Sequence, residues 1–117
     1  MPAEVLFSGV STASLESAQP WYESFFGRPP DVIVNADEVM WHVCDGGWMY
    51  LVENGMHAGH ALVAVAVSDL DHALEGLAQR GIERPAVETL SGVGRKAPIV
   101  DPEGNTVTLI QVDETTT

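Results

Sequence analysis

The sequence has 117 residues, of which 45% are hydrophobic, and its formal net charge is −12 at pH 7. This length fits one domain with a modest core, and the hydrophobic content argues against disorder. Because a surface of this charge repels phosphate backbones, nucleic acid is not expected as a partner.

The predicted elements begin with an apolar strand-like run that leads into a helix. This helix begins after Ser14, a good N-cap residue, and ends near Gly27, a good C-cap residue. Apolar side chains recur through it at helical spacing. Three strand-like segments follow at 31–35, 39–44 and 48–53, with an Asp-Gly-Gly hairpin signal between the last two.

The second half of the chain repeats this order. After a linker at 54–59, another apolar run leads into a helix that begins at the N-cap Asp69 and ends near Gly81. Three further strand-like segments are predicted at 83–87, 96–100 and 105–112. The order β-α-β-β-β therefore occurs twice, which predicts an α+β fold. The last residues, 115–117, are expected to form a frayed tail.

Two short motifs occupy matching places in this pattern. Residues 21–27, Trp-Tyr-Glu-Ser-Phe-Phe-Gly, lie in the first helix, and residues 101–105, Asp-Pro-Glu-Gly-Asn, precede the last strand. They resemble signatures of the vicinal oxygen chelate superfamily, which includes glyoxalases, dioxygenases and bleomycin-resistance proteins. The resemblance implies one domain over residues 1–117. Its two βαβββ repeats, at about 4–54 and about 59–113, would form a curved mixed sheet around a cleft, with helices on the outer face.

Enzymes of this superfamily take metal ligands from the first and last strands of each repeat. The resemblance places these four positions on Phe7, Tyr50, Leu62 and Thr108. Phenylalanine and leucine have no donor atom, and a neutral hydroxyl is a poor ligand for a divalent ion. A shift of two residues would bring in His60 alone, and one imidazole does not make a metal site. We therefore predict no metal and no other cofactor.

Strand alternation predicts which side chains line the cleft of the first repeat. Trp48 and Tyr50 should face the cleft, while the residues between and beyond them pack on a helix. A two-residue hairpin turn would place Trp41 opposite Tyr50, whereas a three-residue turn would present His42 instead. We favour the shorter turn. The predicted ligand-binding residues are Phe7, Trp41, Trp48, Tyr50, His60, Leu62 and Thr108.

Alternation also describes the strand before the second helix. There Leu62 shares its inward face with His60, Ala64 and Ala66. The two alanines leave room for a ligand, unless a large neighbouring side chain fills that room. An ordinary aromatic core is the alternative interpretation of the Trp and Tyr side chains in the hairpin.

We expect a metal-free protein that binds a cationic or aromatic, antibiotic-like small molecule, similar to the bleomycin-resistance branch of the superfamily. No catalytic residue is assigned. The alternative is a lyase, isomerase or dioxygenase of the same superfamily with a displaced metal site, in which Tyr50, Glu53 and His60 are acid–base candidates. A third possibility is an interaction module whose apolar cleft serves only dimerisation.

The expected surroundings of the protein follow from features of the whole chain. The longest apolar stretch, Ala61 to Val67, is too short to cross a bilayer, and no secretory signal is visible. The single cysteine, Cys44, excludes an intrachain disulfide framework. We therefore expect a soluble cytoplasmic protein that forms a homodimer, the commonest oligomer.

Overall fold

The computed structural model describes residues 1–113 and confirms the α+β class with two βαβββ repeats. The predicted tail at 115–117 lies outside the described residues. The first repeat contains β1 (Leu6–Thr12), α1 (Leu15–Phe26), β2 (Val32–Asn35), β3 (Glu38–Cys44) and β4 (Gly47–Glu53). The second repeat contains β5 (Leu62–Ala66), α2 (Leu70–Gln79), β6 (Glu88–Leu90), β7 (Gly94–Val100) and β8 (Thr106–Val112).

The strands form two hydrogen-bonded sheets, one per repeat, where the resemblance implied one curved sheet. Their strand orders are β1-β4-β3-β2 and β5-β8-β7-β6. In each sheet the first strand pairs in parallel with the last, and the other neighbours are antiparallel. The parallel pair needs a long crossover, and the helix belongs to that crossover. Both repeats therefore have the same topology.

Both helices begin after the predicted N-cap residues, and α1 also ends at the predicted glycine. The N–H of Ser17 donates to the Ser14 hydroxyl oxygen, which caps α1, and Gly27 ends the helix with a φ of 76°. In α2 the N–H of His72 donates to the Asp69 carboxylate at 3.0 Å. The last residue of that helix is Gln79, and its C-cap is Arg80, one residue before the predicted glycine.

The last strand of each repeat also caps the helix of that repeat. The Glu53 carboxylate on β4 accepts from the Leu15 N–H at 2.9 Å, and the Gln111 amide oxygen on β8 accepts from the Leu70 N–H at 2.8 Å. The first N–H groups of a helix have no partner within the helix, so each side chain satisfies one of them. The two contacts occupy equivalent places in the two repeats.

One hydrophobic core is shared by both repeats. It contains buried side chains from β1, β3, β4, β7, β8 and both helices. The buried Tyr22 hydroxyl on α1 donates to the Asp101 carboxylate after β7 at 2.6 Å. The Arg80 guanidinium after α2 donates to the carbonyl oxygens of Ser24 and Phe25 at the end of α1. The face of each sheet that carries its helix is therefore buried, and the opposite face is exposed.

The prediction of a strand at 83–87 is wrong. This segment has no regular secondary structure, and the short strand β6 begins at Glu88. Pro85 has no N–H to donate to a neighbouring strand and also restricts Arg84 before it, which explains why pairing starts only beyond this segment. β7 begins at Gly94, two residues before the predicted start at 96.

Within residues 1–113, no helix is long and apolar enough to cross a membrane. The cytoplasmic location expected from the sequence stays a prediction.

The environment of Tyr22 generates a test at high pH. Burial, together with the hydrogen bond to the Asp101 carboxylate, raises the pKa of Tyr22 far above its ordinary value. The folded state therefore holds this proton above about pH 10, where the unfolded tyrosine loses it, so stability should fall as the pH rises beyond that value. Because the chain has two tyrosines, the variant Tyr50→Phe isolates Tyr22. Phenolate absorbance at alkaline pH should appear in this variant only together with unfolding, monitored by circular dichroism. A reversible phenolate signal in a folded protein near pH 10 would contradict this environment.

Candidate functional site

The exposed face of the first sheet, here called the open face, presents three rows of side chains across its strands. Residues that are paired in register point to the same side of a sheet. The aromatic row contains Phe7, Trp48 and His42. The central row contains Gly9, Tyr50, Met40 and Val32. The polar row contains Ser11, Val52, Glu38 and Asn35.

The aromatic row is a strip of three nearly parallel rings. The imidazole of His42 stacks on Trp48 with ring centroids 4.7 Å apart and an interplanar angle of 28°. On the other side Phe7 lies 6.4 Å from Trp48 at 25°. Phe7 is 51% exposed, so this strip faces solvent. Rings in this arrangement offer their faces to a further flat group by offset stacking.

Trp41 does not belong to the open face, and its predicted place opposite Tyr50 is wrong. The favoured two-residue turn is present, since Cys44 pairs with Gly47. The register then shifts between His42 and Cys44, so that His42, and not Val43, lies opposite Trp48. This irregularity at Val43 moves every earlier residue of β3 to the other face.

The helix side of the sheet holds Trp41 instead. Its side chain is 0% exposed and stacks on Phe26 at 5.0 Å, while its indole N–H donates to the Arg28 carbonyl at 3.1 Å. The aromatic core that was the alternative interpretation is therefore correct for this residue. A sequence signal for the real orientation existed: the apolar Val39 and Trp41 alternate with Glu38, Met40 and His42.

The ring of Tyr50 lies over Gly9 on the neighbouring strand. A Cβ atom at position 9 would lie 2.6 Å from Cε2 of Tyr50, and closer still to its Cζ and hydroxyl. Any side chain larger than hydrogen would therefore displace the phenol. Gly9 lets Tyr50 lie close against β1, the edge strand of the sheet.

The backbone of His42 is fixed from the β2 side. Its N–H donates to the Asp31 carboxylate at 2.7 Å, and its carbonyl accepts from the Arg28 guanidinium at 2.6 Å. The hydrogen bond from the His42 N–H, followed by the neighbouring Arg28, holds the pKa of the Asp31 carboxyl below its usual range. These contacts lie beside the aromatic row and support its outer end.

The second sheet has an equivalent face with different chemistry. Ala64 pairs with Thr108 as Gly9 pairs with Tyr50, and Leu62 takes the place of Phe7. Leu62 is 86% exposed, and Ala64 and Ala66 are exposed on the same side, as alternation predicts. This face has no aromatic ring within the described residues.

A cavity beside Trp48 is lined by residues of both repeats. Its volume is about 230 Å³, and its lining includes Trp48, Cys44, Ala64 and Ala66. Both alanines line this cavity, as do Val63 and Val65 of the same strand. The ligand-binding role expected of this strand stays a prediction. The cavity is smaller than the roughly 300–1,000 Å³ of typical small-molecule pockets, so it can hold one ring system but not a large ligand.

The four positions implied as metal-ligand sites are distributed over both sheets. Phe7 and Tyr50 lie on the open face of the first, and Leu62 and Thr108 on the equivalent face of the second. His60 lies in the loop before β5 and is exposed. Among residues 1–113 no group of three or more His, Cys, Asp or Glu side chains could hold a metal ion.

The acid–base candidates of the alternative hypothesis lie on different sides of the structure. The Glu53 carboxylate caps α1, on the helix side of the sheet, whereas Tyr50 lies on the open face. His60 belongs to the other repeat, outside its first strand.

A solved structure of a glyoxalase/bleomycin resistance protein from Catenulispora acidiphila DSM 44928 has the same architecture. The two sequences are 34% identical, and the two structures superpose with a TM-score of 0.88. The match covers 95% of this chain and 100% of the other. The chain belongs to the glyoxalase/bleomycin resistance protein family. The resemblance to the vicinal oxygen chelate superfamily is thereby confirmed. No family model matches this sequence, and neither does any curated protein.

Two other solved structures with the same fold are named for different activities. TnmS3, an antibiotic binding protein from Streptomyces sp. CB03234, is 20% identical with a TM-score of 0.75, over 96% of this chain and 98% of its own. A lactoylglutathione lyase from Agrobacterium tumefaciens is 16% identical with a TM-score of 0.74, over 95% of both chains. At this identity the likeness shows the fold alone, so this family member must be interpreted from its own residues.

The contact between Tyr50 and Gly9 can be tested without a ligand. Alanine is ordinarily more stable than glycine in a strand by about 0.5–1 kcal/mol. In the Tyr50→Ala background, Gly9→Ala should therefore raise the free energy of unfolding, measured with urea. In the wild-type background the gain should be lost, because the phenol must leave β1. An equal effect in both backgrounds would mean that Tyr50 does not lie over Gly9.

Proposed function

We propose that this family member binds a small molecule containing a flat aromatic ring, and that the ring stacks on the aromatic row of the open face. The observation that carries the proposal is the solvent-facing strip of Phe7, Trp48 and His42. Exposing apolar rings to water is unfavourable, and an exposed apolar patch typically marks a binding surface. The cavity lined by Trp48 and the two alanines adds space for one ring beside the central ring of this strip.

Binding is favoured over catalysis by the side chains at the superfamily's ligand positions. Phe7 and Leu62 offer no donor atom to a metal, so we propose that the protein works without a metal or other cofactor. TnmS3 is an antibiotic binding protein, and an antibiotic-like ligand is the corresponding proposal here. The net charge of −12 favours a cationic ligand over an anionic one. We further propose that residues 1–117 act as a single domain.

Metal analysis separates this proposal from the enzyme alternative. Purified protein should contain no stoichiometric zinc, nickel, manganese or iron after dialysis. A metal that survives dialysis at one equivalent per chain would overturn the proposal in favour of a superfamily enzyme with a displaced site.

We also propose that the protein is a homodimer in which a second copy covers the open faces. Phe7 and Leu62 occupy equivalent places on the two sheets, and both are exposed, as is Val100 at 59%. The cavity within one chain is too small for a large ligand, so a wall from a second copy would complete the site. Light scattering should give a mass twice that of one chain. A monomer at all concentrations would contradict this arrangement.

The stacking site is tested by removing its central ring. Trp48→Leu should weaken the binding of compounds that contain a planar ring system, such as 9-aminoacridine or bleomycin, by up to about tenfold, since aromatic stacking contributes about 0.5–1.5 kcal/mol. Isothermal titration calorimetry measures the affinity. The matched control is Trp21→Leu, because Trp21 stacks on Phe25 in α1 and lies off the open face.

The two variants distinguish the possible results. An equal loss in both, or an unchanged affinity in Trp48→Leu, would exclude the aromatic row as the site. Failure of the wild-type protein to bind either 9-aminoacridine or bleomycin would count against the proposed small-molecule binding.

A further inference from the structure

The open face is chemically graded from one end to the other. Its aromatic row lies at one end and its polar row at the other, with Met40 and Tyr50 between them. His42 and Glu38 are four residues apart on β3, which corresponds to about 13 Å along a strand. A ligand lying along this face would therefore meet stacked rings first and a carboxylate last.

Glu38 is the carboxylate of this face. Its neighbour Val39 is buried on the helix side, so the side chain of Glu38 lies on the open side, where it is half-buried. No ion pair involves it among residues 1–113, where the ion pairs are formed by Arg28, Arg84, Arg95 and Lys96. The other titratable groups on the face are the imidazole of His42 in the aromatic row and the phenol of Tyr50 in the central row.

The second sheet treats the equivalent position differently. Glu38 pairs with Val52 as Lys96 pairs with Ile110, so Glu38 and Lys96 are counterparts. Lys96 has a partner on the neighbouring strand, the Glu88 carboxylate at 3.6 Å. The neighbour of Glu38 on β2 is Asn35, which carries no charge. The second sheet neutralises the charge in this row, and the first sheet leaves its carboxylate without a counter-charge.

We propose that Glu38 determines the specificity of the site by pairing with a cationic group of the ligand, about 13 Å from the ring that stacks on Trp48. This inference rests on the proposed function and names its ligand class: a planar aromatic compound with a positively charged arm. Half-burial makes such a pair stronger than a fully solvated one, and added salt weakens it. The arm crosses the central row, where Gly9 lets the Tyr50 ring lie close against β1.

Acridines that carry an aminoalkyl arm of graded length test the inference. Affinity, measured by calorimetry, should be highest for the arm that spans about 13 Å and should fall with added salt. Glu38→Gln should reduce the affinity of that compound by about fivefold and leave an armless acridine unaffected. Acetylating the terminal amine should have the same effect on the wild-type protein.

The matched control is Asp37→Asn. It removes the same charge one residue earlier, outside β3, and should leave every affinity unchanged. Circular dichroism checks that both variants fold. Equal effects of the two variants would attribute the preference to the overall charge and overturn the role of Glu38.

Three further results are informative. Binding of the armless acridine without any gain from the arm would overturn this inference and leave the proposed function intact. No binding of any acridine would overturn both. If Glu38→Gln changes the mass of the assembly but not the preference for the arm, the partner of Glu38 is a basic side chain of a second copy, such as Lys96, and the inference is wrong.

Discussion

The buried carboxylate of Asp101 holds the two repeats together, and the layout of the molecule follows from it. It accepts hydrogen bonds from the Tyr22 hydroxyl, the backbone N–H groups of Glu103 and Asn105, and the Asn105 side-chain amide. A buried charge is tolerated only when it is fully hydrogen-bonded, so these donors must stay in place. They bring α1 of the first repeat against the turn before β8 of the second. Once the helix sides of both sheets face this shared core, the opposite sides are left exposed to solvent.

Much of the architecture could be predicted because it depends on local patterns. The caps at Ser14 and Asp69 and the alternation along β4 and β5 each depend on a few neighbouring residues, and each matches the structure. The face of Trp41 could not be derived in the same way, because an irregularity at Val43 changes the register without changing the turn. The predicted register of the hairpin depends on its turn alone, whereas the burial of Trp41 depends on its stacking against Phe26 in the aromatic core. Packing against residues distant in the sequence therefore determines the face on which Trp41 lies.

Only the part of the candidate site that depends on local patterns could be predicted from the sequence. Trp48 and Tyr50 follow from alternation and Phe7 from the resemblance, and the three lie together on one face. The favoured register places Trp41 in the cleft instead of His42, and it does not assign Glu38 to a face, although His42 completes the aromatic row and Glu38 is the carboxylate of the open face. The equivalent face of the second sheet, with Leu62, Ala64 and Thr108, shows that the shared topology does not dictate these side chains. Two copies of one fold carry two surfaces with different chemistry.

The capping of each helix by the last strand of its own repeat has a consequence for how the protein opens. If β4 frays at Glu53, the Leu15 N–H loses its acceptor, so strand and helix lose order together. The second repeat has the same coupling through Gln111 and Leu70. The first contact is between a carboxylate and the positive end of a helix dipole, whereas the second involves a neutral amide. Slow amide exchange should therefore divide the molecule into two cooperative units, and ionic strength should act on the opening of one more than on the other.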